Sequence, residues 1–241
     1  IGTSKGVSWL LDSETTMLGW TTKGPEYRKQ HLTPSTMEVL GSGKIDAGQT
    51  GIPVEELRRR GWGEVGFLSY GKFLPWLEEA LNDFQKPAEG KRAALRKDAL
   101  HALVGEAPLS EAEYALSYKY RFPVYACGYN WLDSNANAAD RLGQLIDAVI
   151  ARYKKQKLKC EKVIVVTHSM GGLVARHCSQ VGKRQSSIFG IVHGVMPAIG
   201  AAAVYRRFKS GTENFGKGFV ASATGSIGGQ VVINLVPVII C

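Results

Sequence analysis

The segment Thr167-His168-Ser169-Met170-Gly171-Gly172 places a serine between a run of β-branched residues, 162–166 (KVIVV), and a helix-forming stretch, 173–180 (LVARHCSQ). A serine hydroxyl is a weak nucleophile. It becomes useful when a turn exposes it, backbone amides face the oxyanion it generates, and a base takes its proton. A strand, a sharp turn and a helix in that order make a nucleophile elbow, which lifts Oγ above the carboxyl end of the strand and aims backbone amides at the same spot. Ser169 is therefore the candidate nucleophile, and the amide of Met170 the first candidate oxyanion donor. Gly171, two residues on, leaves room where helix and strand close on each other. Thr167, two residues before, stands where glycine is usual, so the adjoining strand has to accommodate it.

The partners of Ser169 are harder to find. On an elbow the side chain of His168 points away from Oγ, so His168 reads as a packing or hydrogen-bonding residue. His177 lies two turns down the helix, out of reach. His193, near the end of the following strand, is at the correct edge of the sheet. Folds with such an elbow nevertheless take the acid and then the histidine downstream of the serine. Beyond Ser169 the chain has no Asp, and its only carboxylate is Glu213, in a stretch that reads as surface. Glu213 and His193 are thus the weak candidates, and the expectation is that acid and base come from outside this chain.

The elements that must position Ser169 follow from periodicity. A short aromatic strand is expected within 123–131 (PVYACGYNW), then a long amphipathic helix with Leu142, Leu145, Ile146, Val149, Ile150 and Tyr153 on one face, then the buried strand KVIVV. Strand, helix and strand make a βαβ unit with parallel strands. A further strand is expected over 186–195. Helices are expected at 73–86, 91–104 and 110–120, the last opened by a Ser110–Glu113 capping box. A short strand is expected at 64–69 (EVGFLS), and the first 50 residues read as irregular. The fold class is α/β: a mostly parallel sheet covered by helices on both faces, with helical cap or lid insertions.

Composition supports this and excludes other classes. The 241 residues are 44% hydrophobic and 21% charged, with 28 Gly and 9 Pro, which is globular rather than disordered or collagenous. Four cysteines without CxxC spacing encode neither a disulfide scaffold nor a zinc site, and no metal or cofactor is expected. Residues 1–147 hold 17 Lys and Arg against 19 Asp and Glu, a net of −2; residues 148–241 hold 13 against 2, a net of +11. The densest run, 152–162 (RYKKQKLKCEK), sits at a helix end, where cations suit the dipole. It lacks the interleaved aromatics of a nucleic-acid platform, so no nucleic acid is expected. No signal segment follows Ile1, and the uncharged residues 218–241 end on an apolar run; the chain reads as incomplete, its tail as a lid or core segment.

HSMGGLVAR, with VYACGYNW one helix upstream, resembles the lipase branch of α/β-hydrolases related to lecithin:cholesterol acyltransferase and the GPI inositol-deacylases. YACGYNWLDSN together with HGVMPAIGAAAVYRR looks like the antibacterial phospholipase effectors delivered by type VI secretion, over residues 123–210. Ile1-Gly2-Thr3-Ser4 with Trp9 resembles the tail of the loop that supplies the second oxyanion donor in that branch, so Ile1 and Gly2 join Met170 as candidates. The resemblance implies membrane phospholipid as substrate, an immunity protein and a secretion apparatus as partners, and a secreted effector acting at the periplasm or membrane of target cells.

The resulting expectation is one hydrolase catalytic domain: residues 1–122 an oxyanion-loop tail and helical layer, 123–197 the core with the elbow, 198–241 the start of a lid or cap. Two other readings stay open. One is a hydrolase-fold module without catalysis that binds lipid or protein; the other is an acyltransferase using the same residues.

Overall fold

The computed structural model describes residues 1–3, 6, 8, 9, 12, 13, 15, 19, 23, 25–83, 90, 94, 107–202 and 238–240. The helices are α1 (Pro25–His31), α2 (Val54–Arg59), α3 (Phe67–Tyr70), α4 (Phe73–Asn82), α5 (Glu111–Ser117), α6 (Asn135–Lys155) and α7 (Gly171–Gln180). The strands are β1 (Val124–Ala126), β2 (Val163–His168), β3 (Ile188–Gly194) and β4 (Val238–Ile240), hydrogen-bonded in the order β1-β4-β2-β3.

Pairing fixes the strand directions. β3 runs parallel to β2, with Val165 beside Ile191 and Thr167 beside His193. β4 is antiparallel to both β1 and β2. Hence β1, β2 and β3 all point one way and finish at one carboxyl edge, as expected of the βαβ unit. The unexpected feature is β4, from the apolar tail, which separates β1 from β2.

Alternation along β1 and β2 sends side chains to two covered faces. Tyr125, Val163 and Val165 pack with Leu142, Ile146 and Val149 of α6 and Val174, Ala175 and Cys178 of α7. Val124 and Ala126, with Ile164 and Val166, pack on the other face against Leu57, Trp62, Val65, Tyr70 and Leu74 from α2 to α4. KVIVV is therefore buried more deeply on one face than on the other: Val163 and Val165 are buried, Ile164 and Val166 half-buried.

Local signals account for the helices. Ser110 and Glu113 form the reciprocal capping box of α5, with the Glu113 amide donating to Ser110 Oγ and the Ser110 amide to Glu113. Ser134 caps α6, accepting from the Asn137 amide at 3.2 Å. The α6 stripe read from sequence is the stripe that packs: Leu142, Ile146 and Val149 are buried, and Leu145, Ile150 and Tyr153 lean on the same cluster.

Two expectations are corrected. Residues 64–69 are no strand: a 3-10 turn covers Trp62–Glu64 and α3 begins at Phe67. The cause is tertiary. Gly61 turns with φ 80, and Trp62 buries its ring by donating its indole N–H to the Val124 carbonyl at 3.0 Å. The first 50 residues, read as irregular, include the helix α1. The expected helix at 91–104 falls, except for position 94, outside the described residues, as do the lid of 198–241 beyond residues 198–202 and 238–240, and Glu213.

Candidate active site

The chain leaves β2 at His168 and enters α7 at Gly171, so two residues, Ser169 and Met170, make the whole reversal. Ser169 takes a left-handed backbone, φ 50, and Met170 is already right-handed helical. A non-glycine residue held there costs on the order of 1–2 kcal/mol, and such strain persists only when surrounding bonds over-determine it. They do here. The Ser169 amide donates to the Gly194 carbonyl at the end of β3, 2.7 Å, and the Ser169 carbonyl accepts from the Gly172 amide, 3.0 Å. Met170 accepts from Leu173 and Val174 and so starts the helix.

The strand beside the turn is strained at the matching point. Val195, next after Gly194, has φ 48, rare for a β-branched residue. Sequence reasoning missed it, because nothing local in HGVM marks a valine for that conformation. Tight packing follows at the helix start. A Cβ on Gly172 would lie 2.5 Å from Cγ of Met196, so Gly172 belongs to the close approach of α7 to the segment after β3, and Gly171 beside it is buried.

The side chains around the turn have defined partners. Thr167 is buried, and its hydroxyl hydrogen-bonds the Val192 carbonyl at 3.3 Å and His193 Nδ1 at 2.9 Å. That is how a threonine is accommodated two residues before the serine: its oxygen is taken up by the neighbouring strand. His168 projects to the opposite face, where Nδ1 lies 3.1 Å from the Tyr70 hydroxyl of α3. His177 is on α7 and half-buried, its Nδ1 without a hydrogen-bond partner among the described residues. The structure thus brings Thr167 and His193 together beside the turn and sends His168 to Tyr70. Among the described residues no histidine or carboxylate hydrogen-bonds to the Ser169 hydroxyl.

The proposed oxyanion residues lie apart in partnership. Met170 caps α7, whose Gly172, Leu173 and Val174 amides are taken by the Ser169 and Met170 carbonyls, and the turn stands at the positive end of that helix. The Gly2 amide donates to the Glu38 carbonyl at 2.8 Å, and the Ile1 nitrogen to the Trp9 carbonyl at 3.2 Å. Ile1, Trp9 and Met37 form a separate small core that meets Trp131 and Leu132 after β1.

Beyond β1, the loop 127–131 (CGYNW) is clamped. Arg141 of α6 donates from Nε to the Gly128 carbonyl at 2.6 Å and from its terminal nitrogen to Glu64 at 2.9 Å, while Glu64 also accepts the Gly128 amide at 3.1 Å. A Cβ on Gly128 would sit 2.5 Å from the Glu64 carbonyl oxygen, so the loop and the turn after α2 close to backbone contact. Burial pushes the Cys127 thiol up to about 12 and the Cys178 thiol to about 11, which keeps both protonated and unreactive. Burial likewise pushes the Tyr129 phenol up. Among the described residues no three His, Cys, Asp or Glu side chains gather as metal ligands.

Comparison with known proteins gives two findings. Residues 134–211, which span α6, β2, the Ser169 turn, α7 and β3, match the family model described as the PGAP1-like alpha/beta domain. The crystal structure of the Tle4-Tli4 complex contains a similar chain, with 31% sequence identity and a TM-score of 0.76 over 89% of this chain. No curated protein matches. The fold is thus of the α/β-hydrolase type. This chain spans 46% of the length of the solved chain.

Proposed function

We propose that this chain carries the nucleophile of a serine-dependent lipid ester hydrolase, an antibacterial phospholipase effector acting on target-cell membranes. One observation carries the reading: Ser169 is held at φ 50 between β2 and α7, with its amide fixed 2.7 Å from the Gly194 carbonyl. A serine in that place has its hydroxyl free of a structural hydrogen bond and stands at a helix N-terminus suited to a developing oxyanion.

In the proposed reaction Ser169 Oγ attacks the ester carbonyl, its proton passes to a histidine, and the Met170 amide donates to the oxyanion. The alcohol leaves with that proton, and water then releases the fatty acid from the acyl-serine. A second donor from Ile1 or Gly2 requires one of those N–H groups to leave its present carbonyl. The acid and the histidine are proposed to come from beyond the described residues, with Glu213 and His193 as the weaker candidates. Thr167, His168 and Gly171 shape the elbow. Residues 1–122, 123–197 and 198–241 are proposed as oxyanion-loop tail with helical layer, catalytic core, and start of a lid.

Similarity to a chain solved in the Tle4-Tli4 complex supports a dedicated partner protein, proposed to be an immunity protein, alongside a secretion apparatus. Among the described residues no helix is long and apolar enough to cross a membrane. Membrane phospholipid enters the proposal as the substrate that the resemblance of YACGYNWLDSN and HGVMPAIGAAAVYRR implies. The test is full-length protein against its Ser169→Ala variant on phospholipid vesicles and on a short nitrophenyl ester, reading released fatty acid and nitrophenol. Hydrolysis should fall by a factor on the order of 10⁴ in the variant, with circular dichroism unchanged. Retained hydrolysis overturns the assignment of Ser169, and activity confined to the soluble ester overturns the phospholipid.

A further inference from the structure

The two helices on one face of the sheet, α6 and α7, end at the same place, the amino edge opposite Ser169. Each is followed by a lysine with a left-handed backbone, before the closing amide at α6 and after it at α7. After α6 the Leu158 amide donates back to the Tyr153 carbonyl at 3.0 Å, and Lys157 takes a left-handed backbone, φ 59. After α7 the Gly182 amide donates back to the His177 carbonyl at 2.9 Å, and Lys183 is left-handed, φ 54. A left-handed backbone normally takes glycine, because a Cβ there costs about 1–2 kcal/mol. At both ends a lysine occupies it and is exposed to solvent. Charge is therefore placed at this edge against the preference of the backbone.

The surroundings add charge and apolar surface. Lys154, Lys155, Lys159 and Lys162 are exposed beside Lys157, and in the run 152–162 only Glu161 opposes them. Exposed apolar side chains stand at the same edge: Leu158 at 55%, Val181 at 64%, Phe189 at 77% and Tyr120 at 54%. Tyr120 leads into β1, Lys159, Glu161 and Lys162 join α6 to β2, and Phe189 begins β3; together they line one groove of about 290 Å³.

We propose that this edge docks an acidic segment of a partner protein, which seats an apolar side chain between Tyr120 and Phe189 and sets its carboxylates against Lys157, Lys159, Lys162 and Lys183. Charge complementarity selects an acidic partner. Two features select a protein segment over an anionic bilayer. β2 is six residues long, so Ser169 stands about 20 Å from this edge at roughly 3.3 Å per residue, and an edge seated on lipid turns the hydrolase site away from it. This first feature rests on the proposed function. The groove is concave and takes a single side chain, whereas a bilayer is engaged by protruding ones.

Fluorescence anisotropy of a labelled peptide of alternating Glu and Leu, with sedimentation on phosphatidylglycerol vesicles in parallel, tests the proposal on the full chain. The parent should bind the peptide in a salt-dependent manner and not sediment with vesicles. The double variant Lys157→Gly/Lys183→Gly should bind about tenfold more weakly while melting at a higher temperature, and Lys159→Glu/Lys162→Glu should weaken binding at least tenfold. Ser169→Ala should bind as the parent does, so failure of the hydrolase reading leaves this readout intact. Peptide binding unchanged in both lysine variants, preference for vesicles over peptide, or a lower melting temperature of the glycine variant overturns it.

Discussion

The amide of Ser169 donates to the carbonyl of Gly194 at 2.7 Å, joining the residue after β2 to the last residue of β3. The bond extends the parallel register of Thr167 on His193 and His168 on Gly194 by one step past the strand. It holds a left-handed serine against a neighbouring chain that itself turns left-handed at Val195, φ 48. Two strained residues thus brace each other at the carboxyl edge of the sheet.

Relief of that strain should be measurable. Glycine adopts φ near 50 without the Cβ penalty, so Ser169→Gly and Val195→Gly should each stabilise the folded chain by about 1 kcal/mol, the larger flexibility of unfolded glycine taking back part of the gain. Val195 is 76% exposed, so little buried area is lost with its side chain. Thermal midpoints should rise by roughly 2–4 °C for a domain of this size. A fall in either midpoint contradicts the assignment of strain.

What was legible in the sequence was local. The α6 stripe, the Ser110–Glu113 box and the strand-turn-helix order around Ser169 each depend on residues within a turn or two of one another. What was not legible depends on distant partners. Trp62 donates to Val124, 62 residues away, and this bond makes a turn of a segment that reads as a strand. Thr167 is tolerated because Val192 and His193 lie beside it, and β4 reaches its place between β1 and β2 from the far end of the chain. Periodicity carries no information on such pairings.

The clamp on the loop after β1 should depend on the shape of arginine. Arg141 reaches the Gly128 carbonyl and Glu64 with two nitrogens of one planar group, and lysine offers a single point charge. Arg141→Lys should destabilise by about 1 kcal/mol, a modest figure because the side chain is 42% exposed. Amide hydrogen exchange should show the effect concentrated at Gly128 and its neighbours, whose bond to Glu64 loses its support. Protection unchanged across 127–131 counts against the clamp.

Thiol chemistry provides a check on the core between β1 and α7. Cys127 is 1% exposed, with its thiol pushed up to about 12 by burial, so the thiolate that alkylating agents need is scarce at pH 8 and inaccessible. Native protein treated with iodoacetamide should carry no label at Cys127, and protein unfolded in guanidinium should be labelled there within minutes. Mass spectrometry of the tryptic peptides distinguishes the two. Rapid labelling of the native chain at Cys127 contradicts the packing of Cys127 with Leu142 and Cys178.

Glu78 connects the helical layer to the first strand and sets a pH dependence. Its carboxylate accepts the Val124 amide at 2.7 Å and lies 3.3 Å from the Arg60 guanidinium, yet its pKa is raised above the usual carboxylate value, because desolvation outweighs the Val124 hydrogen bond and the nearby arginine charge. A raised folded pKa means that the folded chain binds the proton more tightly than the unfolded chain does. Stability from this group is therefore fully present below the unfolded value of 4.5 and is lost as pH rises through the raised folded value. Glu78→Gln keeps an oxygen for the Val124 amide and cannot ionise. Urea unfolding of both proteins between pH 4 and pH 7 isolates the term, since every other titrating group cancels in the difference. The stability of the parent relative to Glu78→Gln should decrease with rising pH across that window and then level off. A difference that grows with pH shows that the Arg60 ion pair outweighs burial at Glu78.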